Sequence, residues 1–103
     1  MIIHFANNDI EYEDWCKNNR NGYVFNCFGG AENRSDMNIV HKADCSYLWR
    51  KADEGKRTTR YDKYCSTDIV TLTNHVQKER GSRGVVRSVS SLLYNLHKLL
   101  LII

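Results

Sequence analysis

Tyr23-Val24-Phe25-Asn26-Cys27-Phe28 and Met37-Asn38-Ile39-Val40-His41-Lys42-Ala43 are two runs rich in β-formers, separated by an eight-residue stretch, Gly29 to Asp36, that carries Gly, Asn and Ser. Branched and aromatic side chains suit a pleated, half-buried surface, and the polar, glycine-bearing stretch between them reads as a loop. The pair is therefore expected to form a hairpin. On the returning strand, alternation puts Met37, Ile39, His41 and Ala43 on one face and Asn38 and Lys42 on the other, with Val40 interrupting the polar side.

Upstream of the hairpin, Ile2-Ile3-His4-Phe5 is a short apolar run expected as a first strand. Asn8 then stands as an N-cap with Glu11 three residues on, a capping-box pattern. Asp9, Glu11, Glu13 and Asp14 fill the first turns, where the helix dipole favours negative charge. Tyr12, Trp15, Cys16 and Asn19 share a helical stripe that should pack inward. Asn21-Gly22 should end the helix, with glycine supplying a left-handed cap.

Downstream, Asp44 to Arg57 reads as irregular or weakly helical. Arg60-Tyr61-Asp62-Lys63-Tyr64-Cys65 is expected as a third or edge strand, its charges suiting an exposed rim. Ser66 or Thr67, helped by Asp68, can start a helix whose apolar positions Ile69, Leu72 and Val76 recur at helical spacing and which should stop at Gly81. Beyond the Ser82-Arg83-Gly84 connector, Val85, Val89, Leu92, Leu93, Leu96, Leu99, Leu100 and Ile103 form a continuous stripe at spacings of three and four. Such a stripe needs something to bury against. The expected order is β-α-β-β-β-α-α. It gives a small α+β domain over residues 1–81 with a three- to four-stranded antiparallel sheet and helices on one face, followed by an amphipathic helix or tail over 82–103.

The chain has 103 residues, enough for one domain, and 42% apolar with 26% charged side chains excludes a disordered or fibrous composition. Net charge is only +3, too mild by itself to demand a nucleic-acid partner. Its distribution says more. Residues 1–40 hold six acids and three bases, whereas residues 41–103 hold six acids and twelve bases, so one basic face is expected. The N-terminus has no basic, apolar export signal, and the four cysteines (Cys16, Cys27, Cys45, Cys65) are expected as reduced, mostly buried cytoplasmic thiols. The tail is interrupted by Arg87, Asn95, His97 and Lys98 and makes a poor membrane span, so no membrane partner is expected.

Three constellations could carry chemistry. His41, Cys45 and Cys65 are zinc-ligand types, with Cys27 or His75 as a distant fourth, but no paired Cys-x-x-Cys or His-x₃-His spacing is present. Neither a metal nor another cofactor is expected. Cys45 or Cys65 with His41 as base could form a nucleophile pair, though no enzyme signature surrounds them. Gly29-Gly30 lacks the Gly-Lys-Ser/Thr ending of a phosphate loop. The third constellation runs from Tyr47 to Tyr64, where cations alternate with Tyr47, Trp49, Tyr61 and Tyr64. Cations neutralise phosphates and aromatic faces stack on unpaired bases. A second basic cluster, Lys78, Arg80, Arg83 and Arg87, lies near the last connector.

Gly22-Tyr23-Val24-Phe25-Asn26, His41-Lys42-Ala43-Asp44-Cys45 and Tyr61-Asp62-Lys63-Tyr64-Cys65 together resemble a small bacterial and phage α+β module. In that module Gly-Tyr-Val-x-Asn, His-x-Ala-x-Cys and Tyr-x-Lys-x-Cys segments precede a C-terminal helix, sometimes beside nuclease or restriction-type domains. The resemblance spans residues 2–81, implies an accessory or recognition role near DNA and brings no established catalytic residues; the expected setting is phage or mobile-element defence or counter-defence. The chain carries no HNH nuclease motif.

The expected function is a non-enzymatic, cytoplasmic module that contacts nucleic acid through Trp49, Arg50, Lys51, Lys56, Arg57, Arg60, Tyr61 and Lys63. The alternative is a protein-interaction module or inhibitor, dimerising or docking through Leu92, Leu93, Leu96, Leu99, Leu100 and Ile103.

Overall fold

A computed structural model describes residues 1–27, 39–81 and 88–89. The hairpin forms between β2 (Tyr23–Asn26) and β3 (Ile39–Lys42), antiparallel, with Val24 opposite His41 and Phe25 opposite Val40. β1 (Ile3–Phe5) and β4 (Lys63–Ser66) complete four antiparallel strands, and the two-residue β5 (Ser88–Val89) adds in parallel to β3. The sheet order is β1-β4-β2-β3-β5. The chain is thus α+β, as the pattern implies. The loop read at 29–36, Met37 and Asn38 lie outside the described residues. So does the 90–103 segment with its proposed interface of Leu92, Leu93, Leu96, Leu99, Leu100 and Ile103. The helical pattern read through Val89 gives way to extended backbone at Ser88–Val89.

Two features differ from expectation. β4 is not an edge strand: it sits between β1 and β2, pairing with both. Its lysine does not face a rim, because Lys63 is buried and bonded across the sheet to Asn26, its register partner. The helices also do not share a face. α1 (Asp9–Asn18) packs Tyr12 and Cys16 with Phe5, Val24, Ala43, Leu48 and Cys65 on one side. α3 (Ile69–Arg80) packs Leu72 and Val76 with Phe25, Cys27 and Val40 on the other. Strand alternation explains this, since Val24 and Phe25 are neighbours that point to opposite faces and are both apolar. Val40, which breaks the polar side of β3 in sequence, is core on the α3 face.

The helix ends follow local chemistry. Asn8 Oδ1 accepts from the Glu11 amide at α1, and Asp68 Oδ1 accepts from the Val70 amide at α3; these satisfy amides that lack helical acceptors. Gly81 ends α3 at φ 59, a conformation open to glycine. Gly22 is needed for another reason than the expected left-handed cap: an added Cβ would stand 2.7 Å from Trp15 Cη2 and 2.9 Å from the Asn19 carbonyl oxygen. α1 itself closes at Asn19, with extended-range φ. All four cysteines are free thiols, and three are buried.

Candidate functional site

Between β3 and β4 the chain makes two 3-10 turns, Ser46–Trp49 and Lys51–Asp53, and then the single-turn helix α2 (Arg57–Arg60). Successive backbone bonds hold this connection: the Leu48 amide donates to Cys45 O, Asp53 to Arg50 O, and Lys56 to Asp53 O. Gly55, at φ 82, makes the turn that no branched residue would tolerate. Leu48 is buried as a plug against the α1-side core.

α2 is anchored by Asp9, the first residue of α1. Its carboxylate accepts from the Arg57 amide (2.9 Å), the Thr58 amide (2.7 Å) and Thr58 Oγ1 (2.6 Å). Burial pushes this carboxyl up, but those bonds and the Arg57 charge more than offset it and hold it below the usual carboxylate range. Thr58 Oγ1 also accepts from the Asn8 amide. The starts of α1 and α2 are therefore tied together by one polar knot.

That anchoring buries Arg57. Its Nη1 donates to the Arg50 (3.0 Å) and Leu48 (3.4 Å) carbonyls, its guanidinium lies over the Trp49 ring at 5.0 Å, and its Nε is 3.6 Å from Glu13. Trp49 is half-buried, stacked on Tyr12, with Nε1 donating to the Ala43 carbonyl. Lys63 is deeper still, with 5% of its surface exposed. Its Nζ donates to Asn26 Oδ1 (2.6 Å) and to the Tyr61 carbonyl (3.1 Å). Burial pulls its ammonium down to about 8, and the nearby Cys27, Asp53, Cys65 and Asp9 only partly resist this.

These groups surround a small hollow of about 40 Å³ lined by Asn26, Tyr47, Leu48, Arg50, Asp53, Lys56, Arg57, Arg60, Tyr61 and Lys63. It holds roughly three waters' worth of space, the scale of one tetrahedral oxyanion. Five cations face one carboxylate. That carboxylate, Asp53, accepts from Arg50 Nη2 and Arg60 Nη1, both at 3.2 Å. Arg50 lies over the Tyr47 ring at 4.9 Å.

No protein-family model matches the chain, and no curated protein or solved structure matches it.

Of the residues expected to touch nucleic acid, Arg50, Lys56, Arg57, Arg60, Tyr61 and Lys63 all line the hollow. Trp49 does not: its ring is taken up by Tyr12 and Arg57, and its free edge borders a wider groove beside α1 that also carries Ile10, Asp14, Lys17 and Arg20. Lys51 is exposed in the second 3-10 turn, outside the lining. Asn26, Tyr47, Leu48 and Asp53 complete the hollow and were not among the expected site residues. In the second basic cluster, Lys78 is exposed and the Arg80 guanidinium lies over Phe25 at 5.8 Å, while Arg83 and Arg87 lie outside the described residues.

The cysteine–histidine pair is brought together, with Cys45 Sγ 3.6 Å from His41 Nδ1. Its chemistry is weak. His41 is buried, stacks on Tyr47, and is pushed down to about 4 by burial and by the Lys63 charge. An imidazole that resists protonation this strongly is a poor acceptor for the thiol proton. Cys65 lies in the core, where burial pushes its thiol up. Among the described residues no three His, Cys, Asp or Glu side chains are arranged around a metal-sized space, and no helix is long and apolar enough to cross a membrane.

Proposed function

We propose that the protein is a recognition module without catalytic chemistry of its own, binding nucleic acid through phosphate contacts at the hollow between the 3-10 turns and α2. One observation carries the reading: five cations converge on a space lined by a single carboxylate, and the deepest of them, Lys63, gives its hydrogen bonds to neutral oxygens only. Burying a charge without an opposite charge costs several kcal/mol. An incoming phosphate supplies the missing negative charge. Tyr47, 41% exposed beside the hollow, has its ring occupied by His41 and Arg50, so the reading rests on phosphate contacts rather than on base stacking. On this reading the module would act in the cytoplasm, in phage or mobile-element defence or counter-defence.

The test is an anisotropy titration with a labelled single-stranded oligonucleotide at about 50 and 200 mM salt. Binding should be measurable at the lower salt and fall steeply at the higher, and Arg60→Glu should weaken it at least about tenfold. No binding by the wild-type protein at the lower salt ends the proposal.

A further inference from the structure

We infer that the hollow takes a strand end bearing a terminal phosphomonoester in preference to a phosphodiester inside a continuous strand. The inference rests on the nucleic-acid reading above and deepens it. Three observations carry it.

The first is shape. The space is about 40 Å³, and its floor is formed by Lys63 and Arg57, 5% and 7% exposed. A bridging phosphodiester carries a sugar on both sides and needs an open trough to bring its oxygens down to such a floor. A terminal phosphate is attached at one side only, and its other three oxygens project ahead of the chain.

The second is charge. A phosphomonoester carries roughly −1.5 to −2 near neutral pH, against −1 for a diester. The lining has five cations and one carboxylate. Glu13 approaches Arg57 at 3.6 Å without lining the hollow. A dianion balances this excess better than a monoanion does.

The third is the supply of donors. An ammonium has three N–H groups, and Lys63 gives two of them to Asn26 and Tyr61. Arg50 and Arg60 each use one guanidinium nitrogen on Asp53, leaving further N–H groups for a ligand. Arg57 is already committed to two carbonyls and contributes charge more than new bonds. Three projecting oxygens can therefore each meet a charged donor.

The experiment compares one oligonucleotide sequence in three forms, with a 5′-phosphate, a 3′-phosphate or hydroxyls at both ends, against the wild-type chain and Lys63→Met. For wild type, one of the phosphorylated forms should bind about tenfold more tightly than the hydroxyl form, the worth of one charged hydrogen bond. Lys63→Met should lose that preference, read as the ratio of the phosphorylated to the hydroxyl form within the variant, and a folded variant that keeps it in full overturns the inference. Should Lys63→Met fail to fold, Lys56→Ala at the exposed mouth must reduce the preference at least threefold. Equal binding of all three forms by wild type overturns the inference and leaves the nucleic-acid reading standing; no binding of any form overturns both. A nucleoside monophosphate that binds as tightly as the phosphorylated strand assigns the hollow to free nucleotides and overturns the strand-end inference.

Discussion

The two faces of the sheet use the same strands to opposite ends. On the α3 face, Phe25, Val40, Leu72 and Val76 are fully buried against one another, and the cluster contains no charged side chain. On the α1 face the apolar cluster borders buried His41, Arg57, Thr58 and Lys63, and the Tyr12 hydroxyl is buried without a hydrogen-bond partner among the described residues. Hydrophobic burial stabilises both sides. Among the described residues only the α1 side then gives some of that stability back by holding charged side chains away from water. A ligand with the opposite charge would be recognised on that side.

The largest effect should come from the face without a buried charge. Leu72→Ala removes a fully buried side chain from a cluster of four other residues, a change that costs about 2–5 kcal/mol depending on how far the site collapses. Urea unfolding should report this loss. Oligonucleotide affinity, measured where the variant is still folded, should stay within about twofold of wild type. A large loss of binding would show that the two faces are not independent.

How much of this division could be read in the sequence differs by element. The β2–β3 hairpin, the capped start of α1 and the glycine stop of α3 were legible because each depends on residues within one turn or strand. The place of β4 was not. Its charges suggest a rim, and the bonds of Lys63 to Asn26 across the sheet and to the Tyr61 carbonyl make a central position tolerable. The helix sides were hidden for a related reason: Val24 and Phe25 are both apolar, so β2 shows no polar face from which to infer that one side is open. The basic, aromatic stretch was legible as composition, and most of its cations do meet at one hollow. Asn26 and Asp53 were not, because each joins through a partner set by register or by turn geometry. Trp49 misled, since an aromatic between cations looks the same in sequence whether it faces a base or Tyr12.

The next effect sharpens the contrast by its sign. Lys63→Met keeps the apolar stem and removes the buried charge. The variant should be more stable than wild type by about 1–3 kcal/mol, because replacing a buried charge by an apolar group of similar length removes its desolvation cost. Differential scanning calorimetry or urea unfolding at pH 7 measures it. A variant less stable than wild type would mean that the bonds to Asn26 and Tyr61 outweigh the cost of burial, making Lys63 a structural residue.

The smallest effect is the pH dependence of that same gap. Burial lowers the Lys63 ammonium to about 8 in the folded chain, against an ordinary 10.5. Below about 8 both states are protonated and the cost of burying the charge is felt in full. Between 8 and 10.5 the unfolded chain binds a proton that the folded chain has released, so wild-type stability at this site rises with pH. The groups facing Lys63 do not reverse this sign. Asp9 and Asp53 are held below the usual carboxylate range and stay ionised, while burial pushes the Cys27 thiol up to about 11 and the Cys65 thiol higher. Buried thiols do destabilise the fold above pH 9, where their unfolded counterparts ionise, and the same thiols are present in wild type and variant. The advantage of Lys63→Met should therefore shrink by about 1 kcal/mol between pH 7 and pH 9. An advantage that stays constant over that interval would place the ammonium in contact with water, and the case for a buried cation awaiting a phosphate would fail with it.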